Sequence, residues 1–373
     1  MRRVFRITPA LAAAVVILLM SAILSGVDTW ANTPKAQDSK AAQRSAGTTG
    51  ANQSPGDAYL EDFTALPLAK SNLKMISRIL GQKDDDASQP FIRERWQVIW
   101  RAGDPMDLYI IKPRNVEKPP VILYLYGWPA DTDRFKQDHW CGVVAGRGYA
   151  AIGLVSAYTG HRMLNHPLSE DFFNQLPVSL VASVHDVQMI LNYLESRNEF
   201  DMSRVAMFGQ GSGGAIAILT SAVDPRLKVL DVLSPWGDWP TFLEKSTAVP
   251  QDDRPKVTTP EFLQSVAGLD PLQWFPKVKA QSVRLEDIRK DGHMPDAGEE
   301  AMEAAAPAIA EIDQFGDTEA MAPVAAGGAL LNWTKDQLKP DAKPQVALAK
   351  SERVHYFPPK ADPHPLSFGG QKN

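Results

Sequence analysis

The residues best suited to chemistry stand together at 209–214, where the chain reads Gly209-Gln210-Gly211-Ser212-Gly213-Gly214. The β-type run Val205-Ala206-Met207-Phe208 leads in and a helical run over 214–222 leads out, so the glycines mark a sharp strand-to-helix turn. A turn of this kind lifts one residue above the end of a sheet, where a hydroxyl can attack an acyl carbon. Its neighbours must be small because the strand and helix backbones come close there. Ser212 carries the turn's hydroxyl, and a serine needs a base to take its proton at neutral pH. Candidate imidazoles are His161 and His166, which follow a strand over 149–155, and His293 in a later loop. Two roles for Ser212 stay open: nucleophile, or a turn residue that contributes only its backbone N–H. His185-Asp186 is read as structural, since neighbours along a helix do not face each other.

The elements that must position these residues alternate in type. Segments 92–100 and 106–111 carry strand-type residues around Gly103-Asp104-Pro105 and predict an antiparallel hairpin. Val121-Ile122-Leu123-Tyr124-Leu125-Tyr126 is a continuous apolar run of the kind found inside a parallel sheet, and it ends at Gly127-Trp128-Pro129. A helix is expected over 133–147, a strand over 149–155, and a helix over 178–197 with Val181, Val184, Val187, Ile190, Leu191 and Leu194 at helical spacing. After the turn come strands over 229–233, 283–288 and 308–315 and a closing helix over 322–338. This alternation predicts an α/β class with a mostly parallel central sheet. Between 236 and 277 the rhythm is lost to Trp, Pro and mixed charge, which suits a lid insertion over the sheet's carboxyl edge. Tyr126, Trp128, Trp236, Trp239 and His161 fall near the expected mouth and are candidate pocket residues, with packing beneath the lid as the alternative for the aromatics.

Phe208-Gly209-Gln210-Gly211-Ser212-Gly213-Gly214, aligned on the strand end and the double glycine, resembles the Phe-Gly-x-Ser-x-Gly-Gly elbow of the α/β-hydrolase superfamily. Tyr126-Gly127-Trp128-Pro129 resembles its His-Gly-x-Pro oxyanion segment, and Asp291-Gly292-His293-Met294-Pro295 resembles its Asp-x-x-x-Pro acid segment. The likeness covers about 94–338 and is nearest to the dienelactone-hydrolase and acyl-peptidase-like branch. It implies the α/β-hydrolase fold, with Asp291 as the acid that orients an imidazole. It also implies two losses. Gly211 stands where the superfamily places its serine, and the segment after the last strand reads Gly316-Asp317-Thr318, with no histidine between His293 and His355. The expectation is therefore a hydrolase-like protein with a degenerate triad that binds a small-molecule ligand or a partner. The alternative is an active serine ester or amide hydrolase using Ser212, Asp291 and an unconventional histidine, with oxyanion donors at Trp128 and Gly213. A lesser reading has the glycine amides binding an anion.

The bulk properties narrow the classes further. Met1-Arg2-Arg3-Val4-Phe5-Arg6, an apolar run over 10–24 and small residues up to Ala31 predict a cleaved export signal over 1–31. Residues 32–57 are polar and read as a linker, 58–338 as the hydrolase-like domain, and 339–373 as a proline-rich tail packing on it. Periplasmic or secreted placement is expected, with no membrane span after signal cleavage. A net charge of −5 without a basic cluster beyond the signal argues against nucleic acid. A single cysteine, Cys141, excludes an internal disulfide, and Cys141 with His139 makes no metal set, so no metal and no cofactor is assigned.

Overall fold

Strands rich in Val, Ile and Leu with both faces apolar can bury themselves only between two layers of helices, and that is the arrangement found. A computed structural model describes residues 73–78, 86–101, 104–128, 132–158, 175–326 and 328–359. The expected export signal, the linker and the candidates His161 and His166 lie outside the described residues. The strands are β1 (Lys74–Arg78), β2 (Phe91–Ile99), β3 (Met106–Pro113), β4 (Pro120–Leu125), β5 (Ala150–Leu154), β6 (Asp201–Gln210), β7 (Leu227–Leu233), β8 (Ser282–Ile288), β9 (Glu311–Phe315) and β10 (Val354–Phe357). They form one ten-stranded sheet in the order β1-β2-β3-β5-β4-β6-β7-β8-β9-β10. The pairs β1/β2, β2/β3 and β3/β5 are antiparallel and every pair from β5 to β10 is parallel.

Alternate residues of each strand feed two cores. Leu123, Leu125, Met207 and Val232 face one, with α2 (Leu176–Arg197) and α3 (Ser212–Val223), while Tyr124, Tyr126, Phe208 and Leu233 face the other. The second core includes Trp140 and Val144 of α1 (Asp138–Gly146). α2 starts with proline in its first turn and stops at Asn198, which takes a left-handed conformation with φ 53°. Strand order reverses at β4: the chain steps outward to β5 and returns to place β6 on β4's other side. Open α/β sheets hold their sites where neighbouring connections diverge to opposite faces, which here is at the carboxyl ends of β4 and β6. Those ends carry Gly127-Trp128 and Gln210-Gly211.

The span 236–277 folds as α4 (Trp239–Lys245), α5 (Arg254–Val257), α6 (Pro260–Ala267), α7 (Pro271–Trp274) and a 3-10 turn at Phe275–Lys277. These elements brace against α2, α3 and α8 (Asp296–Ala305), a helix that the sequence reading missed. Asp270 ties the insertion together, accepting the backbone N–H groups of Asp238, Trp239 and Leu272 at 2.9–3.0 Å.

The closing helix expected over 322–338 is two helices, α9 (Thr318–Ala326) and α10 (Ala329–Gln337). Gly328 between them has φ +75°, which an α-helix cannot pass through. The tail also does more than pack on the domain. α11 (Lys350–Arg353) leads into β10, which pairs in parallel with β9 and extends the sheet. Among the described residues no helix is long and apolar enough to cross a membrane.

Candidate functional site

β6 ends at Gln210 and α3 begins at Ser212, so the whole turn is one residue, Gly211. Its backbone has φ +53° and ψ −117°, a conformation that L side chains rarely adopt. The strained residue of a strand-to-helix elbow is the one lifted above the sheet. Here that residue has no side chain.

Gly211 is pinned from both sides. Its N–H donates to Leu233 O at 3.0 Å, and its carbonyl accepts the N–H groups of Trp236 at 3.0 Å and Ala215 at 3.1 Å. A Cβ built on it would lie 3.3 Å from Trp236 Nε1 and 3.8 Å from Gly127 Cα. The edge of the indole thus borders the place where a nucleophile's side chain would start.

Ser212 is the first residue of α3 and is 1 % exposed. Its Oγ accepts the backbone N–H of Trp128 at 2.9 Å. In an acyl-transfer site that amide would stabilise the oxyanion together with the N–H that follows the elbow residue. With Gly211 on the elbow, the following amide belongs to Ser212. Gly213, expected as a donor, also packs closely: its Cα faces Leu125 O and Tyr126 O of the β4 end.

No described imidazole hydrogen-bonds to Ser212. His293 is exposed, and its backbone N–H donates to Asp291 Oδ1 at 2.8 Å. Met294 N–H donates to the same oxygen at 3.4 Å, so Asp291 caps its own turn, and burial raises its pKa. His139 is exposed on α1, and His185 is buried on α2, edge-on to Trp100. His355 has a carboxylate partner, Asp313 Oδ1 at 2.9 Å, but it sits on β10. The register runs from His355 through Asp313, Glu286 and Leu233 to Gln210, four strand spacings in all, or about 19 Å.

The aromatic candidates divide. Trp128 and Trp236 flank the elbow, Trp236 packing against Phe242 and Tyr158. Tyr126 belongs to the opposite core, stacked on Tyr124 with Arg134 over its ring, and burial pushes its hydroxyl pKa up to about 12. Trp239 is buried beneath the insertion and donates Nε1–H to Leu269 O at 3.2 Å.

No family model matches the chain. It is 26% identical over 136 residues to YtaP of Bacillus subtilis, a protein that carries the provisional name of a hydrolase. That match covers 32% of this chain and 45% of the relative, so it spans less than half of that protein's length. Among solved structures, the chain is similar to an acetyl xylan esterase from Paenibacillus sp. R4, with TM-score 0.53 and 16% identity, covering 75% of this chain and 91% of that one. It is also similar to the Pyrococcus horikoshii acylaminoacyl peptidase, with TM-score 0.54 and 17% identity, covering 71% of this chain and 44% of that one. The fold is that of the α/β-hydrolases. Within it, the turn between β6 and α3 carries a glycine, Gly211.

One group of residues at the rim escaped the sequence reading. Asp287 at the end of β8 and Glu299 and Glu303 on α8 are all buried beneath the loop that carries Asp291. The signal was available in Glu286-Asp287, an acidic pair inside a strand whose neighbours are apolar.

Proposed function

We propose that this chain is an exported hydrolase-fold protein that binds a small-molecule ligand at its elbow and does not cleave it by serine chemistry. The observation that carries this reading is the backbone of Gly211, whose left-handed φ marks the elbow position and leaves it without a nucleophile. Ser212 offers no easy substitute, because its hydroxyl is buried and held on the Trp128 amide. The ligand class that suits the mouth is an ester-like or carbonyl-bearing compound, held between backbone donors and the Trp128 and Trp236 indoles. Export rests on the basic and apolar pattern before Ala31.

The competing reading, an ester or amide hydrolase using Ser212, Asp291 and an imidazole from outside the described residues, differs in what one substitution does. Removing the nucleophile of a serine hydrolase lowers turnover by about 10⁶. The expected result here is that turnover of short acyl esters by the full chain is no faster than by Ser212→Ala. Binding of the same esters, followed by indole fluorescence, should be weakened by Trp236→Leu and retained in Ser212→Ala. Turnover that vanishes in Ser212→Ala would favour the hydrolase.

A further inference from the structure

Beneath the loop 289–295 three buried carboxyl groups face one cation, the partly exposed Arg289. Asp287 points from β8 toward the α8 side and is 1 % exposed, and Glu299 and Glu303 of α8 are 0 % and 5 % exposed. Arg289 lies among them, donating from Nη1 to Glu299 Oε2 at 3.0 Å and to the Asp296 carbonyl at 3.3 Å, and from Nη2 to Glu303 Oε1. Gln314 of β9 donates to Glu303 Oε2 at 2.7 Å. The available donors are spent on the two glutamates. Both oxygens of Asp287 and Oε1 of Glu299 have no hydrogen-bond partner. Asp291 of the loop and Asp296 of α8 are the other charges felt at Glu299, and both are negative.

Fully ionised, this cluster would hold two uncompensated negative charges without solvent, which is costly enough that carboxyls take up protons instead. Burial first, and then the neighbouring carboxylates against the opposing pull of Arg289, raises Glu299 to about 8 and Asp287 well above its ordinary value. The loop above is tied to the insertion. Ser246 hydroxyl donates to His293 O, and the Thr247 N–H and hydroxyl donate to Gly292 O at 2.9 and 2.8 Å.

We propose that Asp287 and Glu299, packed against the Arg289–Glu303 ion pair, form a proton-operated latch that holds α8, the Asp291 loop and the adjoining end of α4 together when the two carboxyls are protonated and loosens them as they ionise. The latch is independent of how the elbow is read. The sign follows from linkage. A carboxyl whose folded pKa lies above its unfolded value binds more protons in the native state, so its contribution falls as pH rises from about 4.5 to about 8 and is lost above that.

The test is hydrogen exchange on the full chain at pH 6 and pH 9, corrected for intrinsic rates, comparing peptides over 289–305 with those over 212–223. The latch predicts that protection over 289–305 falls at least tenfold relative to 212–223 between the two pH values, and that Glu299→Gln removes most of that difference. A ratio unchanged across pH in the wild type would overturn it, as would an undiminished fall in Glu299→Gln. Should Glu299→Gln fail to fold, Asp287→Asn is read by the same two criteria.

Discussion

Gly213→Ala should destabilise the protein by about 3 kcal/mol or more, enough to cut the soluble yield sharply, because overpacking against backbone leaves no cheap relaxation. A Cβ at this position would lie 1.9 Å from Leu125 O and 2.6 Å from Leu125 C. Neither atom is the flexible end of a side chain, and both belong to β4, the strand that leads into Gly127-Trp128. To make room, α3 would have to retreat from β4, which separates the Trp128 amide from Ser212 as well. Gly268→Ala is the control. It has no atom within 4 Å of the new Cβ and an ordinary φ of −68°, so it should be neutral or slightly stabilising. Chemical denaturation of the two variants beside the wild type measures the contrast.

Arg284→Met should cost about 3–5 kcal/mol, since removing one member of a buried ionic group strands the others. Arg284 is 3 % exposed on β8 and is held in a fork on Asp231, with Nε at 3.0 Å from Oδ1 and Nη2 at 2.7 Å from Oδ2. It also donates to Leu330 O at 2.9 Å, lies 3.2 Å from Glu286 Oε1, and stacks 4.7 Å from the Trp333 ring centre. Methionine keeps much of the volume but supplies no charge. Asp231 would retain only the Thr334 hydroxyl at 2.8 Å, and Glu286 and Asp313 would lose their shared cation. The melting temperature should fall by roughly 10 °C for a domain of this size. Adding Asp231→Asn to Arg284→Met should recover part of the loss, because the pair is coupled.

Much of the architecture is legible in the residues, for identifiable reasons. Strands such as β4 and β5 lie in the sheet interior with both faces covered, so their apolar runs are continuous and flanked by turn signals. The elbow is legible because Gly209, Gly213 and Gly214 each meet another chain segment at a distance that no Cβ tolerates. The break at Gly328 was hidden because residues on both sides keep a helical pattern, and only the φ of Gly328 reveals that the helix stops. α8 was missed because its amphipathic face includes two glutamates. Glu299 and Glu303 occupy positions where apolar residues are expected, and their burial depends on Arg289 from elsewhere in the chain.

At the site, the glycine turn could be read from spacing, whereas the hydrogen bond between Ser212 and Trp128 could not. That contact joins residues 84 positions apart and depends on how closely α3 seats on β4. Tyr126 and Trp239 show the same limit. Their place near strand ends and turns suits a mouth, yet each side chain turns into a core, Tyr126 because strand alternation sends it to the α1 face and Trp239 because Asp270 and Leu269 hold it beneath the insertion.

The proposal that this chain does no serine chemistry is tested most directly by incubating the full chain with a fluorophosphonate probe and measuring its intact mass. A glycine elbow with Ser212 held on the Trp128 amide predicts no adduct on folded protein, under conditions that label a serine hydrolase completely. A stoichiometric adduct that maps to Ser212 would contradict the account.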